Sequence, residues 1–333
     1  MRPWREAMTE ALYGAGGFYL RPEGPAAHFR TSAHTGSVYA ATVAELLGRV
    51  DLAIGHPAQL DLVDVGAGRG ELLHAVADLA AQGLPFAARL RLTGVEVAAR
   101  PRGLPARIGW ADEIPPVTGL LLANEWLDVV PVDVVELTTD GPRLVLVDAT
   151  GRESLGGPPT AADLAWLTQW WPLPLVGQRA EIGSTRDAAW ANAVSRVRRG
   201  LAVAVDYGHT AEKRPPYGSL VGYRAGAVVP PIPDGSCDLT AHVALDSCLA
   251  AAGILSTQRD VLAELGVSAA HPPRELAARD PAAYLAALRS AGEATELLDP
   301  GGLGGFGWLL HGVGMAVPLC PPERLGSDRP EPM

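Results

Sequence analysis

The sequence predicts an α/β fold built on a doubly wound, mostly parallel sheet, and three observations predict it. Short runs of aliphatic and β-branched residues at 60–65, 119–123 and 201–205 have the composition of strands buried on both faces, and 90–97 reads as a further strand. Helical periodicity fills intervals between them. Several runs end in polar residues, and ligands of doubly wound sheets sit just beyond the carboxyl ends of the strands.

In chain order, residues 4–13 and 36–50 read as helices, the second opened by Thr35 or Gly36. The Gly- and Pro-punctuated loop of residues 14–34 between them is too long for a plain connection. Its aromatics and hydroxyls, among them Phe18, Tyr19, Phe29, Thr31 and Ser32, suit a lid over a ligand, a disordered arm being the alternative. Residues 60–65 form a strand, Gly66-Ala67-Gly68-Arg69-Gly70 the turn leaving it, and 71–81 the helix that follows. Glycine lets a ligand touch the backbone, and a helix N-terminus favours electron-rich groups. A dinucleotide fingerprint requires Gly-x-Gly-x-x-Gly, whereas Glu71 stands where its third glycine belongs, which argues against NAD. A tight turn without a ligand is the alternative.

The strand at 90–97 carries Glu96 near its end, where a carboxylate of a nucleoside-binding fold accepts hydrogen bonds from ribose hydroxyls. Residues 108–112 read as a short strand and loop in which Trp110 or Asp112 would flank the base. Residues 119–123 discharge into Asn124-Glu125-Trp126-Leu127-Asp128. Glu125 and Asp128, three apart in the opening turn of a helix, would hold a fork-shaped cation between them; a helix cap beside a solvated Glu125 is the alternative. Residues 134–148 read as a β-hairpin turning at Asp140-Gly141-Pro142, 151–160 as a polar linker, and 161–171 as an amphipathic helix whose tryptophans belong to a core. A helix over 184–199 feeds the strand 201–205, which ends in Asp206-Tyr207-Gly208-His209. His209 either serves proton transfer or orients the loop. Residues 214–237 form an excursion over the site, and Asp238 has the character of an N-cap for a following helix. Helices near 243–252, 258–264 and 281–289 and a closing strand pair within 306–319 complete the chain.

The 333 residues suffice for one elaborated domain or two small ones. The expected division is an N-terminal helical and lid segment (1–60), a core with an insertion near 134–180 (61–210), covering loop and helices (211–300), and closing strands with a tail (301–333). A formal net charge of −10 offers no footprint for nucleic acid and favours a cationic substrate or partner. Cys237, Cys248 and Cys320 are odd in number with no C-x-x-C spacing, which fits a reducing cytoplasm and no metal site. No apolar run approaches the roughly 20 residues that span a bilayer, and the first residues lack a signal peptide's apolar core, so a cytoplasmic protein away from the membrane is expected. Neither a Gly-x-Ser-x-Gly elbow, a Walker phosphate loop nor a His-Glu-x-x-His motif is present.

On these residues the chain resembles the MidA-like (DUF185) methyltransferases, whose mitochondrial member is an arginine methyltransferase assisting complex I assembly. The resemblance runs in family order over about 30–320, through Asp64 to Glu71, Val95-Glu96-Val97, Asn124 to Val132, Asp206 to His209, and Asp238 to Val243. The Glu-aromatic-x-Asp-x-x-Pro and Asp-Tyr-Gly-His motifs are more specific in combination than the Gly-x-Gly-x-Gly loop, which is similar to the first motif of class I S-adenosylmethionine-dependent methyltransferases. The resemblance implies a seven-stranded, Rossmann-like sheet with added N-terminal and inserted helices, and S-adenosyl-L-methionine as cofactor.

It further implies cofactor contacts from Asp64, Gly66, Ala67, Gly68, Gly70, Glu96, Val97, Asp112, Asn124, Thr31 and Ser32, with Asp64 steadying the loop or the methionine ammonium. Glu125 and Asp128 would grip a guanidinium, His209 would accept a proton, and Trp126, Asp206, Tyr207 and Phe29 would contact the acceptor. The expected acceptor is a protein or small-molecule guanidine, and a homodimer is allowed for. Two departures leave the acceptor open: Ala27-His28-Phe29-Arg30-Thr31-Ser32-Ala33-His34 stands where the family has Gly-Asp-Phe-x-Thr-Ser-Pro-Glu, and Val221 replaces an arginine. The alternatives are a cofactor-binding assembly factor without turnover and a small-molecule N- or O-methyltransferase of specialised metabolism.

Overall fold

The computed structural model describes residues 1–21, 36–249 and 253–319. A seven-stranded sheet is built from β1 (Leu60–Val65), β2 (Leu90–Val95), β3 (Ile108–Ala111), β4 (Val117–Asn124), β5 (Val197–Asp206), β6 (Ile254–Thr257) and β7 (Gly307–Val313). The strands lie in the order β6-β7-β5-β4-β1-β2-β3. From β3 to β5 all neighbours are parallel, and β7 runs antiparallel between β5 and β6. The chain steps outward one way through β1, β2 and β3 and the other way through β4 and β5. Between β1 and β4 the direction reverses, and there the carboxyl ends of two neighbouring strands flank a crevice.

Apolar side chains on both faces explain why β1, β4 and the second half of β5 read as continuous hydrophobic runs. Every residue of β1 is buried. The helices are α1 (Trp4–Tyr13), α2 (Ser37–Ala53), α3 (Glu71–Ala81), α4 (Ala161–Trp170), α5 (Ser184–Ser195), α6 (Leu245–Cys248), α7 (Gln258–Glu264), α8 (Arg274–Arg279) and α9 (Pro281–Leu298). One face packs Leu62, Leu120, Leu122 and Val203 against Leu46, Leu47 and Val50 of α2 and Leu73 and Val76 of α3. The other packs Val63, Leu121 and Ala202 against Trp190 and Ala193 of α5. Caps fix where helices begin. Thr160 and Asp163 close a capping box on α4, and Asp280 accepts the Ala283 amide at the start of α9 with Pro281 in the first turn. Among the described residues no helix is long and apolar enough to cross a membrane.

A smaller sheet stands beside the carboxyl ends. The hairpin Asp133–Thr138 and Gly141–Val147 is its centre, flanked by Arg179–Ile182, Arg2–Pro3 and Glu153–Leu155. Its strands pack Val134, Val145 and Val147 on Trp4, Met8 and Leu12 of α1, which holds the N-terminal helix against the crevice.

Three local expectations are corrected. Residues 125–130 form a turn, not a helix, because Glu125 sits at φ 51°, a left-handed conformation that cannot open a right-handed helix. Asp238 does not cap a helix: Asp238–Thr240 is a strand paired with Val221–Arg224, inside the stretch expected to be an irregular excursion. Helix α5 stops at Ser195, since Val197 already pairs with Val117 of β4.

Candidate functional site

A cavity of about 420 Å³ opens at the reversal point. From β1 come Asp64 and Val65, and the loop beyond passes through Gly66, Gly68 and Gly70 at φ 73°, 56° and 79°. Only glycine takes such angles without strain. A Cβ on Gly68 would meet nothing nearer than a Glu71 carboxylate oxygen at 3.7 Å, so the backbone lies bare to the cavity. The Gly68 amide donates to Oε2 of Glu96 at 3.0 Å, while Oε1 accepts the amides of Val97 at 2.8 Å and Ala98 at 3.4 Å. Three amides thus fix the carboxylate beyond the end of β2, and a carboxylate has further lone pairs for a ligand. Burial raises the Glu96 pKa against the pull of those amides. Asp64 is buried, and burial together with the Glu71 and Glu96 charges pushes its pKa up to about 8.

The second wall is the turn after β4. The Tyr39 hydroxyl, reaching from α2, donates to Asn124 Oδ1 at 2.7 Å, and Asn124 Nδ2 donates to Glu125 Oε1 at 3.0 Å. Beyond Glu125 the Leu127 and Asp128 amides donate to Asp206 Oδ2 at 2.9 and 3.2 Å. Arg186 of α5, itself buried, donates to the carbonyls of Asp128 (2.6 Å), His242 (3.0 Å) and Val130 (3.3 Å). The turn is therefore held from below, and Glu125 and Trp126 face the cavity. Tyr13 and Tyr19 complete the lining opposite the sheet, their rings stacked with centroids 5.5 Å apart. Their hydroxyls donate to the Val129 carbonyl and to Asp238 Oδ1 at 3.1 and 3.0 Å.

Of the residues expected at the site, Asp64, Gly66, Ala67, Gly68, Glu96, Val97, Asp112, Asn124, Glu125 and Trp126 line this one cavity. Gly70 does not; it precedes α3, where a Cβ would strike Leu104. Asp128 is also placed elsewhere. Its Oδ2 accepts the hydroxyls of Thr240, at 2.6 Å, and Tyr207, so the two carboxylates do not form the expected fork. Asp206 and Tyr207 belong to the same buried network, which lies behind the turn and contributes nothing to the lining. Burial raises the pKa of Asp128 and, with the Asp128 and Glu125 charges added, lifts that of Asp206 well above the carboxylate range.

His209 stands away from the cavity as well. Arg214 approaches its Nδ1 at 2.7 Å, its ring meets Trp171 edge-on at 4.5 Å, and burial with the Arg214 charge holds its pKa down at about 3. Such a ring stays neutral and orients the loop. Trp110 packs structurally, its indole donating to the Ala98 carbonyl. Phe29, Thr31 and Ser32 lie outside the described residues. Residues that the sequence did not single out are Tyr13, Glu113, Asn192 and Arg196. Asn192 of α5 and Arg196 just past its end carried no signal beyond being polar positions in a stretch that reads as a helix.

The cavity's charge is one-sided: Asp64, Glu71, Glu96, Asp112, Glu113 and Glu125 line it against Arg196. A volume within the range of small-molecule pockets, a bare glycine backbone, a fixed carboxylate past β2 and this acidic lining suit a nucleoside that carries positive charge. Fold and cavity together define a nucleoside-binding α/β protein of the class I methyltransferase kind.

The family described as "Putative S-adenosyl-L-methionine-dependent methyltransferase" matches residues 42–262, and the chain belongs to that family. It is a methyltransferase whose cofactor is S-adenosyl-L-methionine. Two solved structures from Burkholderia thailandensis, members of one superfamily, share its fold. Each is 23% identical, with a TM-score of 0.74 over 94% of this chain and 88% of the other. One is described as an uncharacterized protein in its native form, the other as a "likely methyl transferase" bound to S-adenosyl-homocysteine. No curated protein matches the sequence.

Proposed function

We propose that this methyltransferase acts on a guanidino nitrogen, of a protein arginine or of free arginine or a small relative, at the wall formed by Glu125, Trp126 and the Tyr13–Tyr19 stack. The observation that carries the reading is Glu125 itself. Its backbone at φ 51° and its bond from Asn124 hold a carboxylate at the cavity wall. Bound S-adenosylmethionine supplies an electrophilic methyl group.

The protein's own work is to position and to manage charge. A free guanidinium, with pKa of about 12.5–13.8, is a poor nucleophile. Charge-assisted hydrogen bonds from its N–H groups to Glu125 draw charge away from the attacking nitrogen, and Glu125 is the carboxylate assigned to take the proton released on methylation. Planar cations also stack on aromatic faces, which Tyr13 and Tyr19 offer. Asp128, spent on Thr240 and Tyr207, holds the turn in place and is not part of the grip. Asp64 and Glu96 are assigned to the cofactor's ammonium and ribose.

Incubation with radiolabelled S-adenosylmethionine, arginine-rich peptides, free arginine, cell lysate and a metabolite extract tests the reading. Label should appear on guanidino nitrogen, and Glu125→Gln should lower kcat/KM on the order of 100-fold with the Kd for S-adenosylhomocysteine little changed. Label confined to other acceptors would refute the guanidine assignment, and none in any fraction would favour a cofactor-binding assembly factor.

A further inference from the structure

We propose that a second cavity, beside the first, is an anion-binding subsite for carboxylates carried by the methyl acceptor, an inference that rests on the acceptor reading above. This cavity holds about 600 Å³ and shares Tyr19, Gly68 and Glu96 with the cofactor cavity, so the two are contiguous. Its other charged lining is basic: Arg21, Arg69, His74 and Arg102. Glu96, the shared acid, sets one carboxylate against these four basic side chains. His74 has Asp78 within 3.8 Å and Arg21 reaches the Gly16 carbonyl at 3.4 Å, and all four basic residues are exposed to solvent.

Such a gathering runs against the bias of a chain with net charge −10. It also runs against the neighbouring cavity, where six carboxylates face one arginine. Tyr19 is common to both, and its partner in the stack, Tyr13, reaches the Val129 carbonyl at the end of the Glu125 turn. A ligand that lies across Tyr19 therefore meets acidic groups on one side and basic groups on the other. An arginine flanked by aspartate or glutamate has that polarity, and so does free arginine through its own carboxylate. The guanidinium forks of Arg21, Arg69 and Arg102 match carboxylates in geometry as well as charge.

The test is equilibrium binding to the protein saturated with S-adenosylhomocysteine. Fluorescent peptides present arginine between acidic residues, arginine between serines, and leucine between acidic residues; unlabelled arginine and its decarboxylated analogue agmatine compete for the same protein. Three exposed ion pairs of ordinary strength predict about five-fold tighter binding of the acidic-flanked arginine peptide over the serine-flanked one, or of arginine over agmatine. The peptide result points to an acidic protein segment, the arginine result to a small amino acid. High salt should erase either preference. So should the double variant Arg21→Glu, Arg102→Glu, which is expected to keep its Tm and its affinity for S-adenosylhomocysteine. Equal affinities in both comparisons, or a preference that survives in the double variant, would overturn the subsite whatever the role of arginine. An acidic leucine peptide that binds as well as the arginine peptide, with binding lost in the double variant, would keep the subsite and overturn the guanidine reading.

Discussion

Glu96 and Gly68 meet in one hydrogen bond, and substitutions at the two are expected to fail in different ways. Removing the Glu96 carboxylate deletes an acceptor for charge-assisted bonds from a ribose diol but leaves three amides that water can serve. Glu96→Ala should therefore weaken S-adenosylhomocysteine binding by roughly 1.5–3 kcal/mol, about 10- to 150-fold in Kd, in a folded protein. Gly68→Val adds a branched side chain where the backbone is bare and φ is 56°, so it should abolish binding at a stability cost of about 1–2 kcal/mol. Calorimetric titration of both variants checks this, and unchanged affinity in both would detach the cofactor from this cavity. These residues were legible in the sequence because their chemistry is local: the acid, the glycines and the strand ends occur within a few positions of one another. Direction was not legible. Asp128 and His209 also follow strand ends, yet one turns to Thr240 and Tyr207 and the other to Arg214, contacts decided by chain far away in sequence.

At the level of elements, the turn after β4 depends on two supports that sequence spacing could not reveal. Asp206, at the end of β5, accepts two of its amides, and Arg186 of α5 satisfies carbonyls on either side of it. A lone arginine in an Ala-rich helix reads as a solvated position, whereas Arg186 is 1% exposed. Arg186→Leu would take a donor from the carbonyls of Asp128, Val130 and His242, of which only that of Asp128 keeps another, the Ala241 amide. At about 1–3 kcal/mol for each of the two unmet groups, the loss should be about 2 kcal/mol or more, and activity should fall further as Glu125 loses its place. Urea unfolding and methyl transfer on the same variant measure both, and full stability would show the carbonyls finding other donors. The parallel strands and the hairpin were readable because their burial repeats along the sequence. Asp238 misled because an aspartate before a helical-looking run resembles a cap; its carboxylate instead takes the Tyr19 hydroxyl, which fixes the second aromatic of the stack.

Across the whole molecule, buried acids and buried histidines set opposite pH dependences. An aspartate whose folded pKa exceeds its unfolded value binds its proton more tightly when folded, so its favourable contribution is complete below the unfolded pKa and is lost as pH rises through the folded one. Asp64, pushed to about 8, and Asp238, pushed to about 7 by burial and Asp128, are of this kind, and Asp206 is raised further by burial and the Asp128 and Glu125 charges. His209, held at about 3, and His311, lowered by burial, act the other way: stability from them falls as pH drops below about 6.5. Between pH 6.5 and 8 the histidines are neutral in the folded protein and give up their remaining protons in the unfolded chain, a smaller change than that of the acids, which dominate. The free protein should therefore lose stability across that interval, Asp64 alone contributing about 1.4 kcal/mol per pH unit, roughly 2 kcal/mol in all. Saturation with S-adenosylhomocysteine should flatten the slope, because an ammonium placed beside Asp64 keeps that carboxylate ionised throughout. Asp64→Asn should flatten it without ligand. Thermal melts at pH 6.5, 7.25 and 8.0, with and without ligand, decide the point: a Tm that climbs with pH, or an Asp64→Asn slope equal to wild type, would mean that the buried carboxyl does not hold its proton in the way its surroundings require.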